Sequence, residues 1–200
     1  LFLKYQIPTQ LLPAVAARLF LFNDTISPPL YQSRSKIMRI ASWNVNSIKV
    51  RLKHVLDYCK ANKADVLLLQ ELKTTDENFP RQSFEDIGWK VATNGQKTYN
   101  GVAIISKLPI EVVQIGLPDD DGDTQSRYIE AKIEGIQIAS IYLPNGNPCP
   151  GPKYDYKLAW MDRLFSRAKY LFNKEIPVLL AGDFNVIPIS IVCYDTQTWK

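Results

Sequence analysis

The sequence predicts an α/β domain, and three observations carry that expectation. Two apolar runs of strand length, Asp65-Val66-Leu67-Leu68-Leu69-Gln70 and Val178-Leu179-Leu180-Ala181-Gly182-Asp183, end abruptly in polar residues. A helical pattern, Ile48, Leu52, Val55, Leu56 and Cys59, lies between the first of them and an earlier alternating run. A longer helical pattern precedes the second. Apolar periodicity that switches between two and 3.6 residues marks strands alternating with helices. Strands whose ends gather at one sheet edge are where such folds place their sites.

Composition narrows the class. The 200 residues suffice for one domain with a sizeable core, and 46% hydrophobic with 22% charged excludes a disordered chain or a fibre. Of the net charge of +4, the first 37 residues hold +3, through Lys4, Arg18, Arg34 and Lys36 against Asp24. From Met38 onward the balance is only +1. Net charge thus lends little support to nucleic-acid binding, although a local basic groove is compatible with a near-neutral domain. Cys59, Cys149 and Cys193 are odd in number, widely spaced and form no C-x-x-C pair. That disfavours a disulfide framework or a zinc site and gives free thiols in an intracellular, cytoplasmic protein as the default.

Residues 1–37 read as a poorly ordered leader or linker. The apolar run from Leu11 to Phe22 is broken by Pro13 and Arg18. It falls short of the roughly 20 uninterrupted apolar residues that span a bilayer, so no membrane partner is expected. Asn23 to Lys36, with Pro28-Pro29 and several serines, has linker composition. The ordered domain is expected to begin near Met38.

From there the elements follow in order. Arg39 to Asn46 alternates as a strand does. Ser47 is a plausible N-cap for the helix through Cys59, and His54 lies off its apolar stripe, which assigns it to a solvated face. The strand ending in Gln70-Glu71 comes next, then a short helix within Phe79 to Ile87. Trp89–Thr93, Gly101–Ser106, Ile110–Ile115, Arg127–Ile133 and Ile136–Leu143 read as successive strands, with Gly135 in a tight hairpin. The acidic loop Asp119 to Asp123 lacks the alternation of a calcium site and is expected to be solvated. Tyr154, Leu158, Met161, Leu164, Phe165, Ala168, Leu171 and Phe172 predict a long amphipathic helix with this stripe in the core. The last strand, read as buried on both faces, then delivers Asp183 and Asn185 to the sheet edge. Side chains two apart on an extended chain share a face, whereas the plain alternative is an Asx turn closing the strand.

Three strand ends therefore carry polar groups: Asn44 with Asn46, Gln70-Glu71, and Asp183 with Asn185. Neighbouring carboxylates drawn out of water call for a compensating cation, and hard oxygen donors of this kind suit magnesium beside phosphate. Ser42-Trp43-Asn44-Val45-Asn46, Leu69-Gln70-Glu71-Leu72-Lys73, Tyr142-Leu143-Pro144-Asn145-Gly146 and Gly182-Asp183-Phe184-Asn185 resemble, in order and spacing, the motifs of the exonuclease III family of apurinic/apyrimidinic endonucleases. DNase I, sphingomyelinases and inositol-phosphate phosphatases are wider relatives.

The resemblance implies a four-layer α/β/β/α sandwich of the endonuclease/exonuclease/phosphatase type, present in part. It implies hydrolysis of DNA phosphodiesters at abasic sites and 3′ ends, with double-stranded DNA as partner, Mg2+ (or Mn2+) as cofactor, and a monomer. By the same resemblance Glu71 and Asn44 would hold the metal, with Asn46 in a less certain place because many relatives have Asp there. Tyr142 would hydrogen-bond the phosphate, Asp183 would orient the attacking water, and Asn185 would position Asp183 or the phosphate. Lys73 and Arg127 match positions that contact the DNA backbone or stabilise the site. The family's later Asp and terminal Ser-Asp-His motif have no counterpart in this sequence. Residues 38–200 are thus expected to be the N-terminal part of the nuclease domain, with impaired turnover. The alternatives are a remnant that only binds DNA or metal, and a phosphatase or phospholipase of the same superfamily.

Overall fold

Two sheets packed face to face, with helices on their outer sides, place the candidate residues. The computed structural model describes residues 2–8 and 37–186. The elements are β1 (Phe2–Pro8), β2 (Ile37–Asn44), α1 (Ile48–Lys60), β3 (Val66–Gln70), α2 (Arg81–Glu85), β4 (Lys90–Asn94), β5 (Val102–Ser106), β6 (Glu111–Ile115), β7 (Tyr128–Ile133), β8 (Ile136–Tyr142), α3 (Pro152–Phe172) and β9 (Val178–Asp183). One sheet has the order β1-β2-β3-β5-β4 and the other β6-β7-β8-β9. Among the described strands only β2 with β3 and β8 with β9 run parallel. Both parallel pairs are bridged by a helix, as parallel connections require.

Three apolar clusters separate four layers. Val55 and Cys59 of α1 and Phe84 of α2 pack with Leu67, Leu69 and Ile105 on the outer face of the first sheet. Ile40, Val66, Leu68 and Ile104 meet Ile129, Ile138 and Ala181 between the sheets. Trp160 and Leu164 of α3 cover Tyr128, Ala139 and Ile141 outside the second sheet. The predicted sandwich architecture is therefore present. The hairpin expected at Gly135 is a two-residue turn with φ of 48° at Glu134 and 78° at Gly135, the left-handed pair that matches strand twist.

Four expectations change. Residues 2–8, read as part of a poorly ordered leader, form a strand antiparallel to β2, whose outer edge offers unpaired backbone groups that a strand satisfies. Residues 9–36 of that leader, and 187–200 with Cys193, lie outside the described residues. Next, β9 is not buried on both faces: Val178 to Leu180 are half-buried, and among the described residues β9 is the last strand of its sheet. The acidic loop is not simply solvated either. Arg163 of α3 pairs with Asp120 at 2.9 Å and with Asp123 at 2.8 Å, and the Tyr156 hydroxyl donates to Asp123.

The fourth change concerns α3. Its inward face carries Trp160, Leu164 and Leu171 together with Arg163 and Arg167. Arg167 Nη2 donates to Glu130 at 2.9 Å, and that fully buried carboxylate also accepts from Tyr128 and Gln137. Two arginines within the packed stripe, each neutralised by a carboxylate, rotate the helix away from the orientation its apolar count suggests. Leu158, Met161, Phe165 and Phe172, expected in the core, are exposed.

His54 is exposed on α1 as expected. Cys59 is a buried free thiol whose burial pushes its pKa up to about 12, which leaves it unreactive.

Candidate active site

The two parallel strand pairs end at the same place. In register, Asn44 lies beside Gln70 at the ends of β2 and β3, and Tyr142 beside Asp183 at the ends of β8 and β9. Beyond these ends the chain turns sharply, with left-handed backbone at Asn46 (φ 43°), Glu71 (φ 54°), Lys73 (φ 53°) and Asn185 (φ 47°). Such conformations persist in non-glycine residues only where the surroundings hold them. Here they are held by backbone bonds between the loops: Ser47 N to Glu71 O at 2.7 Å, Leu72 N to Gly101 O at 3.1 Å, and Lys73 N to Asn100 O at 3.0 Å.

Asn44 joins the two sheets. Its Nδ2 donates to Glu71 Oε1 at 2.7 Å and to Asp183 Oδ2 at 2.8 Å, while its Oδ1 accepts the Asn46 backbone N–H at 3.0 Å. Two carboxylates from different sheets are thereby held around one amide. Glu71 Oε2 lies 3.0 Å from Lys73 Nζ, which also donates to Asn46 Oδ1. Burial pushes the Glu71 carboxyl pKa up, but hydrogen bonds from Asn44, Lys73 and Tyr142 outweigh it and hold the group below the ordinary glutamate value. Glu71 is thus kept anionic.

Asp183 accepts the Asn185 backbone N–H on Oδ1 at 3.0 Å, and Asn185 Nδ2 donates to Leu143 O at 2.8 Å. The left-handed Asn185 leaves the strand here, so the Asx turn forms and Asp183 still faces Asn44. The strand ends at Asp183, so the Asx-turn reading holds, and the extended alternation expected to put Asp183 and Asn185 on one face does not reach Asn185.

Tyr142 and Arg127 form the remaining wall. The Arg127 guanidinium stands 4.9 Å over the Tyr142 ring centroid, donates to the Tyr142 carbonyl at 3.3 Å, and receives support from Gln125. Burial, then the charge and hydrogen bond of Glu71, raise the Tyr142 phenol to about 12. Between the ordinary tyrosine range near 10 and this value, the unfolded chain gives up the proton and the folded one keeps it. Stability is therefore expected to fall as pH rises through that window. Carbon-13 NMR of labelled tyrosines checks this: Tyr142 should titrate about 2 pH units later in the wild type than an exposed tyrosine, and earlier when Glu71 is replaced by Gln.

A family model described as Endonuclease/Exonuclease/phosphatase family matches residues 41–199. The chain belongs to this family. Among curated relatives, exodeoxyribonuclease III of Haemophilus influenzae is 30% identical over 77% of this chain and 60% of the relative. Exodeoxyribonuclease of Bacillus subtilis is 33% identical over 74% and 59%. Among solved structures, a 3′-5′ exonuclease from Neisseria meningitidis superposes with a TM-score of 0.78 at 39% identity, covering 82% of this chain and 64% of that one. A Neisseria 3′ phosphatase bound to a product DNA hairpin gives 0.78 at 38% identity, covering 82% and 63%. An AP endonuclease from Archaeoglobus fulgidus gives 0.76 at 38% identity, with the same coverage. The chain thus spans about three fifths of the length of the relatives it matches, and the resemblance to the exonuclease III branch holds over that span.

Within this endonuclease/exonuclease/phosphatase fold, the structure brings together Asn44, Glu71, Lys73, Tyr142, Asp183 and Asn185, with Arg127 stacked behind Tyr142. One support, Lys157, escaped the sequence reading, and another, Gln70, was expected at a strand end but bridges the sheets beneath it. Lys157, in the second turn of α3, donates to Asn185 O at 2.8 Å and Asn145 O at 3.2 Å, tying two site loops together. Its signal in the sequence is weak, since one lysine on a helix reads as solvated. Beneath the site, buried Gln70 connects the sheets, accepting from Ser42 at 3.3 Å and donating to Ser140 at 3.2 Å. Ser42 and Ser140 lie two residues before Asn44 and Tyr142, so strand alternation did place them on the site's face.

Proposed function

We propose that Asn44, Glu71, Tyr142 and Asp183 are the hydrolytic centre of a DNA repair nuclease that cuts phosphodiesters beside abasic sites and at 3′ ends of duplex DNA. The observation that carries this is the Asn44 amide holding Glu71 and Asp183 together across the two sheets. A pair of half-buried carboxylates so close is stable only with donors or a cation between them.

The donor set fits a hard divalent ion, magnesium or manganese, whose use is general in this family. Among the described residues no group of three or more His, Cys, Asp or Glu converges. Magnesium is characteristically held by one or two carboxylates plus substrate phosphate oxygens, which suits Glu71 with Asn44 beside it. Bound there, it would supply charge neutralisation at the scissile phosphate. Tyr142, protonated at neutral pH as any phenol that titrates at about 10 or above is, is a hydrogen-bond donor for a phosphate oxygen. Asp183, with both oxygens anchored, orients a water for in-line attack. Lys73 and Arg127 are committed to Glu71 and Tyr142 in this arrangement, so they act first on the site and only then on the DNA backbone. Among the described residues no helix is long and apolar enough to cross a membrane.

The test is single-turnover cleavage of an abasic-site duplex with magnesium. Glu71→Gln should lower the rate and weaken Mn2+ binding, each by roughly 10- to 100-fold. An unchanged rate in that variant removes Glu71 from the site. Tight DNA binding with no cleavage at high enzyme concentration favours the binding-only reading, and faster hydrolysis of inositol phosphates than of abasic DNA favours a phosphatase.

A further inference from the structure

Stacking alone does not hold Arg127 over Tyr142. Its Nε–H donates to Gln125 Oε1 at 2.8 Å and its Nη1 donates to the Tyr142 carbonyl at 3.3 Å, so two nitrogens fix the guanidinium plane above the ring. Nη2 has no partner among the described residues. Gln125 is itself anchored, although residues 123–127 have no regular secondary structure and the order of this stretch must come from side chains. Asp123 supplies it. Its Oδ1 accepts the Gln125 backbone N–H at 3.1 Å, and its carboxylate is pinned from α3 by the Tyr156 hydroxyl at 3.0 Å and by Arg163 at 2.8 Å. The Asp123 side chain is only 6% exposed, which makes it a fixed point. From the other side Asn100 Nδ2 donates to Gln125 Oε1 at 3.3 Å, so the oxygen that holds Arg127 is tied to a second loop.

The chemistry of this acceptor decides what the arginine can do. A carboxylate at position 125 would hold Nε more strongly, but it would also cancel the guanidinium charge. An amide oxygen holds the group and leaves its charge for use. We propose that Gln125 is a positioning residue: its amide oxygen, fixed through the Asp123 clamp, keeps Arg127 on Tyr142 as an uncancelled cation that presents Nη2 to a phosphate oxygen of the substrate. The identity of that anion rests on the nuclease reading, whereas the hold on Arg127 does not. Ordering a long arginine in advance removes a cost that would otherwise fall on binding. The clamp also gives the Arg163 and Tyr156 contacts of α3 a role beyond packing, since they reach Arg127 through Asp123 and Gln125.

Hydrogen exchange at the Arg127 Nε–H of the full chain, followed by NMR and assigned with Arg127→Lys, tests the hold. In the wild type it should be slower than at an exposed arginine by roughly 10-fold or more, as a hydrogen bond from a charged donor confers. Gln125→Leu, which keeps bulk and removes the acceptor, should return it most of the way to the exposed rate. Gln125→Glu should keep it slow. Fluorescence anisotropy with a duplex carrying an abasic-site analogue, without metal, tests the use of the charge. Gln125→Leu should weaken binding by roughly 2- to 10-fold, with no further effect in the Arg127→Ala background. Gln125→Glu should lower the slope of log affinity against log salt by about 0.9, the share of one phosphate contact. Exchange that Gln125→Leu leaves slow overturns the hold. A binding loss that persists in the Arg127→Ala background makes Gln125 a residue of loop structure, and a salt slope that Gln125→Glu leaves unchanged overturns the reason for a neutral acceptor. If the wild type binds no duplex, the nuclease reading fails and the exchange rates alone decide the hold. Circular dichroism verifies that each variant is folded, and Gln125→Ala gives the same comparison should the leucine variant not fold.

Discussion

Asp183→Asn is expected to slow phosphodiester cleavage by about 10²- to 10⁴-fold, the range that a positioned proton acceptor contributes, while leaving the fold intact. The wild-type carboxylate accepts the Asn185 backbone N–H on one oxygen and the Asn44 amide on the other. An asparagine has only one acceptor oxygen, so whichever way its amide turns, it sets an NH2 group against one of these donors. The side chain loses its charge and one of its two anchors together. Because the position is half-buried, the stability loss should stay near the lower end of the roughly 1–3 kcal/mol that an unsatisfied buried donor costs. Rate and stability therefore separate. Single-turnover cleavage should fall by orders of magnitude while the urea midpoint moves little. Equal loss in both measurements would make Asp183 a structural residue, and an unchanged rate would remove it from the chemistry. Asn44→Ala is a useful companion, because it frees Glu71 and Asp183 from their shared donor without touching either carboxylate. Its rate should fall by roughly 10- to 100-fold, as for loss of a supporting ligand contact.

The parts of this molecule that were legible in the sequence are those set by local pattern. Apolar runs closing on Gln70-Glu71 and Asp183 named the strands and pointed to a candidate site at their ends, because a buried strand must release its polar residues at its end. The Gly135 hairpin and α1 followed from turn chemistry and from a 3.6-residue period that α1 obeys. The meeting of Asn44 with Asp183, 139 residues apart, was legible only through the resemblance of ordered motifs, since no local rule pairs strand ends from different sheets. Where the sequence misled, buried charge was the cause. Arg163 and Arg167 sit in the inward stripe of α3 and are neutralised by Asp123 and Glu130, so a count of apolar residues chose the wrong face. The same pairing hid the acidic loop, whose Asp123 is drawn in beneath Arg163 and Tyr156. The strand β1 escaped although Leu3-Lys4-Tyr5-Gln6-Ile7 alternates as a strand does, because its partner is the edge of β2, which no local pattern names.

Gly182→Ala should be the most destabilising single substitution near the site. Gly182 pairs with Ile141 in the parallel ladder of β8 and β9, one residue before the Tyr142 and Asp183 pair. A Cβ built there would lie 1.9 Å from the Ile141 carbonyl oxygen and 2.7 Å from its backbone carbon and nitrogen. These are main-chain atoms in a sheet, so no side-chain rotation relieves the contact. Either β9 moves away from β8 or the ladder breaks, and in both cases Asp183 leaves Asn44. A loss of at least ~3 kcal/mol is expected, in the upper range for overpacking, and site function should be lost in whatever folded fraction remains. Backbone conformation alone does not account for this. Gly182 itself has a φ of 154°, close to extended backbone, whereas Gly116 has a left-handed φ of 74° and an added Cβ there meets nothing within 4 Å. Gly116→Ala should therefore cost only about 1 kcal/mol, from backbone strain. Urea denaturation of the two variants side by side distinguishes the causes: if they lose similar stability, the close approach of β8 to β9 is not what fixes Asp183. A much larger loss at Gly182 means that glycine is required because two strands must come closer than any side chain permits, at the point where the two sheets deliver their polar ends.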